Sequence, residues 1–280
     1  MTEHTLQRAA WQCLMIDDPV EKCLATQTLA QSVADGYWRE RLGAERAVPA
    51  PVPGRPPKPE LVAPSEVRKR GPGSVAGRAA LYHALAHIEF NAINLSLDAV
   101  YRFTGLPYAF ASDWMRVADD EARHFSMLTE HLASLGFAYG DFPAHNNLWE
   151  MALRTDFDPM VRMALVPRVL EARGLDVAPG MIEKLDATGD SRGADILRII
   201  LREEVEHVRI GNRWFLYHCE QRALDPRETF RALLREHTRG FLTGPFNDAY
   251  RKQAGFTDAE LADLREIELE FIEQVKSGLR

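Results

Sequence analysis

The chain has 280 residues, of which 46% are apolar, enough to bury the core of one large domain or two small ones. Its net charge of -7 argues against a protein whose main partner is nucleic acid or another polyanion. The three cysteines Cys13, Cys23 and Cys219 are widely spaced, and the sequence shows neither a signal-peptide pattern nor a run of about 18 apolar residues. We therefore expect a cytoplasmic protein with no membrane partner.

Residues 1–46 are predicted to form a helical N-terminal segment, in which Asp18 followed by Pro19 is a typical helix start. Eight of the 16 prolines then fall between Pro49 and Pro72. Such a stretch cannot propagate a helix or a central strand. We predict a linker or a strap across the surface over residues 47–74, and favour the strap because a flexible tether usually carries more Gly and Ser.

Four helices are predicted over residues 75–222. Ser74 caps the first, which runs to about Phe103 and repeats apolar residues at helical spacing, namely Leu81, Leu85, Ile88, Ala92 and Leu95. The second runs from about Ser112 to Leu135. A crossover anchored by Trp149 follows over residues 137–157.

Asp158 and Pro159 open the third helix, which contains Pro167, Gly174 and Pro179 and is therefore expected to be kinked or broken. The fourth helix is expected from about Asp190 to Gln221. Residues 223–280 are predicted to form helices packed on this bundle, one opened by Asp225 and Pro226 and one by the capping-box pair Thr257 and Glu260. No β-alternation of useful length occurs, so the predicted class is all-α.

Glutamates recur in a paired pattern along the four predicted helices. A lone Glu89 precedes the Glu-x-x-His motif of Glu121 and His124, and a lone Glu171 precedes that of Glu204 and His207. The spacing from lone Glu to motif is 32 residues in the first half and 33 in the second. The chain between the halves is long enough for a crossover, so the pattern predicts two helix pairs in a four-helix bundle with one long connection.

On a helix, two residues that are three positions apart are separated by about 60° around the axis and about 4.5 Å along it. The Glu and His of one Glu-x-x-His motif can therefore bind the same metal ion. Two facing motifs and two lone glutamates supply four carboxylates and two imidazoles, a donor set suited to iron or manganese. Either motif alone is close to what chance supplies. The repeated spacing and the apolar neighbours of the acids carry the hypothesis, because buried acids need a partner or a metal.

The competing interpretation makes these acids surface or salt-bridged groups, with Arg123, Arg173 and Arg202 as partners. Asp120 and Glu203, each just before a motif glutamate, are candidates to accept the second N–H of a ligand imidazole, or are solvated. Gly211 either leaves room for a substrate or packs against another helix. His131 and Trp214, seven residues after the motif histidines, are candidates to line a cavity or to fill the core.

The chain resembles the ferritin-like superfamily of di-iron carboxylate proteins over about residues 75–220. More narrowly, it looks like an uncharacterised bacterial ferritin-like family known as a domain of unknown function, in the segments 84–89, 121–125, 170–176 and 203–208. The resemblance implies a ferritin-like bundle with two Fe ions, or alternatively Mn/Fe or Mn/Mn. By the same resemblance, Glu121 and Glu204 bridge the ions, Glu89 and Glu171 bind terminally, and His124 and His207 bind one ion each.

We expect an oxidoreductase that activates dioxygen to oxidise or hydroxylate a small organic substrate. The chain has no C-x-x-C pair to hold a rubredoxin-type donor, so an external electron donor is expected. The alternative is a ferroxidase, peroxidase or manganese catalase that acts on metal, dioxygen or peroxide without an organic substrate. A tRNA-hydroxylase type of enzyme, supported by the basic residues 68–70, and a metal-free scaffold are further alternatives. Bundles of this kind often form homodimers.

Overall fold

The computed structural model describes residues 4–43, 48, 52–68, 70–239 and 241–277. Within these ranges the protein is helical and contains no strand, apart from an isolated parallel bridge between Leu61 and Ala144. The predicted all-α class is thereby confirmed for the described residues. None of their helices is both long and apolar enough to span a bilayer.

Contacts divide the chain into two compact units. Unit 1 comprises Met1–Leu153 and Lys184–Ile196, and unit 2 comprises Arg154–Glu183 and Leu197–Arg280. The predicted limit between residues 46 and 47 lies outside the described residues, as does Lys69 of the basic cluster. The predicted domain limits therefore stay a prediction.

Unit 1 is built on two long helices and two shorter ones before them. They are α1 (Leu6–Leu14), α2 (Pro19–Ala34), α3 (Val75–Arg102) and α4 (Tyr108–Ser134), and a short α5 (Asn147–Arg154) follows. α3 pairs with α4, α1 packs on α3, and α2 packs on α4. The predicted caps are confirmed, since the carboxylate of Asp18 accepts from the N–H groups of Val20 and Glu21, and the Ser74 hydroxyl accepts from that of Gly77.

Two details of α3 and α4 differ from the sequence-based expectation. α4 begins at Tyr108 rather than Ser112, because Pro107 stands in an extended conformation at its N-cap and the helix starts directly after it. Ile88 is 43% exposed, whereas Ala86 and Ile93 are buried. The buried face of α3 is thus rotated by about one residue from the predicted stripe, and Glu89 lies within it.

The described part of the Pro-rich segment, residues 52–68, is an ordered strap on unit 1. The N–H of Val62 donates to the carbonyl of Ala144 at 2.9 Å, and the N–H of Ala144 donates to the carbonyl of Glu60 at 3.0 Å. Near its other end, the N–H of Gly54 donates to the carbonyl of Leu14 at 3.0 Å. The strap alternative therefore describes these residues; residues 44–47, 49–51 and 69 lie outside the described chain.

A fully buried lysine ties the strap to three helices of unit 1. The ammonium of Lys22 on α2 donates to the carbonyls of Leu14 at 2.9 Å and Gly54 at 2.6 Å, and to Oδ1 of Asn94 on α3 at 2.5 Å. Burial lowers the pKa of Lys22 to about 7. The three acceptors replace the water that the ammonium loses, which makes this position compatible with a compact core.

The remaining helical elements are α6 (Pro159–Leu165), a π-helical turn (Val166–Glu171), α7 (Ala172–Ala187), α8 (Ser191–Gln221), α9 (Pro226–His237), α10 (Asp248–Gln253) and α11 (Asp258–Lys276). They belong to unit 2, except for the end of α7 and the start of α8, which belong to unit 1. The predicted starts after Asp158 and Asp225 and the capping box of Thr257 with Glu260 are confirmed. The short α10 was not predicted. Its cap, Asn247, accepts from the N–H of Tyr250.

The third predicted helix is neither ended nor broken at its prolines. Helical conformation continues from Pro159 to Ala187, and the interruption expected at Pro167 is the π turn Val166–Glu171. Proline has no N–H to donate to the preceding turn, and the wider π turn accommodates that loss. Pro179 lies inside α7 without ending it.

A buried ion pair joins α7 and α10 within unit 2. Two guanidinium nitrogens of Arg251 donate to the carboxylate of Asp176 at 2.8 and 2.7 Å, and the N–H of Asn247 donates to the same carboxylate at 2.8 Å. The side chains of Asp176 and Arg251 are at most 2% exposed. Removal of one partner therefore leaves an uncompensated buried charge.

We predict that Asp176→Asn lowers the free energy of unfolding by roughly 3–5 kcal/mol, as measured by urea denaturation, because the Arg251 charge then stays buried without its counter-ion. The matched control is Asp258→Asn, which breaks the exposed pair of Lys252 with Asp258 and is expected to change stability little. Equal losses in the two variants would contradict this assignment.

Candidate metal centre

α4 carries the first Glu-x-x-His motif near its middle. The side chains of Glu121 and His124 are fully buried, and Nδ1 of His124 lies 3.3 Å from Oε2 of Glu121. Several hydrogen-bonded helical turns flank the pair on both sides, so its backbone is held rigidly. The three-residue spacing therefore places both ligand-type groups on one face of α4, as predicted.

α3 brings a second carboxylate to the same place. Glu89 is 4% exposed, and its Oε2 lies 3.7 Å from Nδ1 of His124. Nearby positions on α3 and α4 are apolar and buried; they are Ala86, Ala92, Ile93, Val117, Ala118, Phe125 and Leu128. Two acids and one imidazole thus share a region that excludes water.

This surrounding changes the acidity of Glu89. Burial raises its pKa well above the ordinary value of 4.5, the charge of Glu121 and a hydrogen bond with it raise it further, and His124 opposes the shift. Two adjacent buried carboxylates cannot both be ionised without a compensating positive charge. A proton or a metal cation supplies that charge.

α8 carries the second Glu-x-x-His motif in unit 2. Glu204 and His207 are buried, and Nδ1 of His207 lies 3.5 Å from Oε1 of Glu204. The corresponding distance in the first motif is 3.3 Å. The two motifs therefore have nearly the same local geometry, which matches the repeat in the sequence.

Among the described residues, Glu89, Glu121, His124 and Glu204 each offer one ligand atom, and these four atoms lie within 4.8 Å of one another. All four residues are buried. Carboxylate oxygens and an imidazole nitrogen at such separations suit a divalent cation with hard or intermediate ligand preference. This buried cluster could hold a metal ion, and its donor set fits iron or manganese.

The sixth predicted ligand, Glu171, is the last residue of the π turn and is half-buried. Arg168 fixes this turn within unit 2. Its fully buried guanidinium lies 4.4 Å from the ring centroid of Phe215 and 3.8 Å from that of Phe230, and it forms an ion pair with Glu260. The four-residue cluster does not include Glu171 or His207, which stay predicted ligands.

Gly211 is explained by packing. A Cβ at this position would lie 2.2 Å from Cγ of Pro167, so the proline of the π turn occupies the space that a side chain would need. Helix packing, rather than room for a substrate, therefore accounts for this glycine. Trp214 is 5% exposed and stacks edge-on against Tyr217 at 5.1 Å. These contacts favour the core-filling alternative for Trp214.

His131 belongs to a polar network at the start of α8. Its Nε2 lies 3.1 Å from Oδ1 of Asp190, and the hydroxyl of Tyr82 donates to the other oxygen of that carboxylate at 2.8 Å. Asp190 also accepts from the N–H of Gly193. His131 thus contacts the carboxylate that caps α8, and its role in lining a cavity stays a prediction.

The acids beside the motifs contact neighbouring arginines. Asp120 accepts from Arg123 at 2.6 Å, and Glu203 lies 3.3 Å from Arg202. Arg173 donates to two backbone carbonyls, those of Thr243 and Pro245. The three arginines of the competing interpretation thus contact the acids beside the motifs or backbone carbonyls. That Asp120 and Glu203 accept hydrogen bonds from ligand imidazoles stays a prediction.

Sequence reasoning did not single out Tyr139, which follows α4 and packs on the other side of α3. Its hydroxyl lies 2.8 Å from Nδ1 of His87, and its ring centroid is 5.1 Å from that of Phe125. His83 accepts from the N–H of Gly140 at 2.9 Å. His83 and His87 therefore form hydrogen bonds within unit 1. No motif marks Tyr139, because its role depends on a loop conformation.

Comparisons with known proteins agree with one another. The model of the family described as "Protein of unknown function (DUF455)" matches residues 15–262. A Haemophilus influenzae protein named "Uncharacterized protein" is 50% identical over 220 residues, which cover 76% of each chain. No solved structure matches the chain.

The shifted acidity of Glu89 predicts a pH-dependent stability of the metal-free protein. Because the folded pKa lies above 4.5, folded Glu89 keeps a proton that the unfolded chain releases, so this residue costs increasing stability as pH rises above about 5. We expect Glu89→Gln to be more stable than the parent in chelator, with an advantage that grows as the pH rises above about 5.

The measurement is urea unfolding at several pH values, with Glu130→Gln on the exposed side of α4 as control. The control should follow the parent at every pH. An advantage of Glu89→Gln that is absent, or that does not change with pH, would show that Glu89 does not hold its proton in the folded state.

Proposed function

The chain belongs to the DUF455 family, and we propose that it is a ferritin-like protein with a dinuclear metal site. The proposed activity is that of a non-haem di-iron or Mn/Fe oxidoreductase that activates dioxygen to oxidise or hydroxylate a small organic substrate. The observation that carries this proposal is the buried cluster of Glu89, Glu121, His124 and Glu204. A cytoplasmic location and a homodimer are parts of the proposal that rest on the sequence.

The proposed ligands are the six residues of the repeated pattern. Glu121 and Glu204 would bridge the two ions, with Glu89 and Glu171 as terminal carboxylates. His124 and His207 would each bind one ion. The matching geometry of the two Glu-x-x-His motifs supports a site with two equivalent halves.

A bound pair of iron or manganese ions supplies redox chemistry toward dioxygen or peroxide. The protein's own contribution follows from its residues. Four ionised carboxylates offset the whole formal charge of two divalent cations, and long helices hold the ligands in fixed positions. The apolar side chains around Glu89 and Glu121 exclude water, which limits side reactions and strengthens electrostatic interactions in the site.

The alternative is a metal-handling or detoxifying role of the ferroxidase, peroxidase or manganese catalase type. The chain has no C-x-x-C pair that could hold its own electron donor. This favours the catalase type, because disproportionation of peroxide needs no external electron donor. The oxidase proposal instead requires a separate donor. The two functions differ in whether an organic molecule is consumed.

Anaerobic reconstitution with ferrous iron should load about two ions per chain, measured by plasma emission spectrometry after gel filtration. Glu121→Ala and Glu204→Ala should lose at least half of that metal, since each removes a proposed bridging carboxylate. Glu130→Ala on α4 and Glu220→Ala on α8, both exposed acids on the same helices, are the matched controls. A parent protein that binds no stoichiometric metal under these conditions contradicts the proposal.

A second experiment separates the catalase type of the alternative from dioxygen activation. The di-iron protein is mixed with hydrogen peroxide alone, with dioxygen alone, and with dioxygen plus a chemical reductant. Rapid evolution of dioxygen from peroxide alone supports the catalase type. Reductant-dependent dioxygen uptake that is lost in Glu121→Ala supports dioxygen activation at the cluster, and uptake that is equal in parent and variant shows that the cluster is not the reacting site.

A further inference from the structure

Two adjoining cavities lie beneath the strap of unit 1. The first, here called the polar cavity for its Arg and Asn side chains, is small, about 20 Å³. Its lining combines Arg55, His87, Asn91, Asn94, Tyr139 and Asn146 with the apolar residues Pro53, Pro56, Pro59, Leu61 and Phe90. The second is a groove of about 550 Å³ with a mostly apolar lining that includes Pro19, Val20, Pro57 and Phe125, and also Lys58 and Thr129. Pro56 and Tyr139 line both, so the two adjoin.

On α3, the residues that line the polar cavity lie on a different face from the candidate ligand Glu89. His87, Asn91 and Asn94 lie four and three residues apart on one face of α3. Glu89 is two residues from His87, about 200° away around the helix axis. α3 therefore presents its metal-ligating face and its cavity-lining face in different directions.

The polar cavity is electropositive. Arg55 contributes a guanidinium, and the residues that line the cavity include no acid. The nearby carboxylate of Asp17 accepts from the backbone N–H of Arg55 at 3.1 Å. The Lys22 ammonium donates to Oδ1 of Asn94, which leaves the amide N–H groups of Asn94 as the donors that this side chain offers to the cavity. An anion with hydrogen-bond acceptors complements these groups.

The size of each part limits the ligand. One water needs about 10–15 Å³ of such a space, so the polar cavity takes one or two water-sized groups, as many as the oxygens of a carboxylate. The volume of the groove falls within the range of roughly 300–1,000 Å³ that is typical of small-molecule sites. Val20 at its edge is 66% exposed, and an apolar ligand would cover it.

We propose that this region of unit 1 binds a small anionic amphiphile, with its carboxylate at Arg55, Asn94 and Asn146 and its hydrocarbon tail in the groove between Val20 and Phe125. A neutral amphiphile would forgo the charge-assisted hydrogen bonds that the guanidinium of Arg55 offers. A short carboxylate would leave the groove uncovered. A carboxylate joined to an alkyl chain complements both ends at once.

The test is isothermal titration calorimetry of the full chain with octanoate, and with acetate and 1-octanol as matched probes that each lack one end. Octanoate should bind at least about tenfold more tightly than either, because only it uses the charged end and the groove together. Octanol binding equal to that of octanoate would show an apolar groove without a carboxylate site. Equal binding of acetate, or no binding of octanoate, would also overturn the proposal.

Two surface variants locate the ligand. Arg55→Gln should weaken octanoate by about tenfold or more and leave octanol unchanged, because it removes a charge-assisted hydrogen bond. Val20→Glu places a carboxylate in the groove and should weaken both octanoate and octanol. Arg55 and Val20 are exposed, so neither variant is expected to unfold the protein, and the thermal midpoint of each is measured as a check.

The matched controls are Arg8→Gln on α1 and Val75→Glu at the start of α3, both exposed and outside the two cavities. They should bind octanoate as the parent does. Octanoate affinities that are unaffected by both Arg55→Gln and Val20→Glu place the ligand elsewhere and overturn the assignment. The titrations are run on metal-loaded and chelator-treated protein, so that failure of the metal centre and failure of this site give different results.

Discussion

The cost of burying carboxylates is the constraint on which the candidate site depends. Glu89 and Glu121 lie with His124 in an apolar region of unit 1, where ionised acids are expensive unless a positive charge is added. A fold that needed these positions only for packing would be more stable with apolar residues there. A bound cation would account for two acids and an imidazole held within contacts of 3.7 Å.

Other buried polar groups, which have protein partners, hold the helices that carry the candidate ligands in place. Lys22 donates to two carbonyls and to Asn94, and thereby joins α1, α2, α3 and the strap in unit 1. In unit 2, Arg168 is enclosed by aromatic rings and paired with Glu260 beside the π turn that carries Glu171.

Local signals in the sequence predicted much of the fold and of the site. The Asp-Pro helix starts at residues 18–19, 158–159 and 225–226 and the capping box of Thr257 depend on neighbouring residues alone, and all four are confirmed. The Glu-x-x-His spacing also acts within one helix, so the placement of Glu121 beside His124 followed directly from the sequence. The apolar periodicity predicted the extent of α3 well. The predicted buried face, however, differs from the observed one by about one residue, as the exposure of Ile88 shows.

Features that depend on long-range contacts were beyond the sequence. The π turn at Pro167 depends on packing against Gly211, and the order of the strap depends on its bonds to Ala144 and Leu14. Tyr139 reaches His87 only through the conformation of the segment after α4.

The most direct test of the central claim is anomalous diffraction at the iron edge from crystals of the anaerobically reconstituted protein. The account predicts two peaks about 3.5–4 Å apart, within coordination distance of Glu121 and His124; a cluster that shows no anomalous density would contradict it.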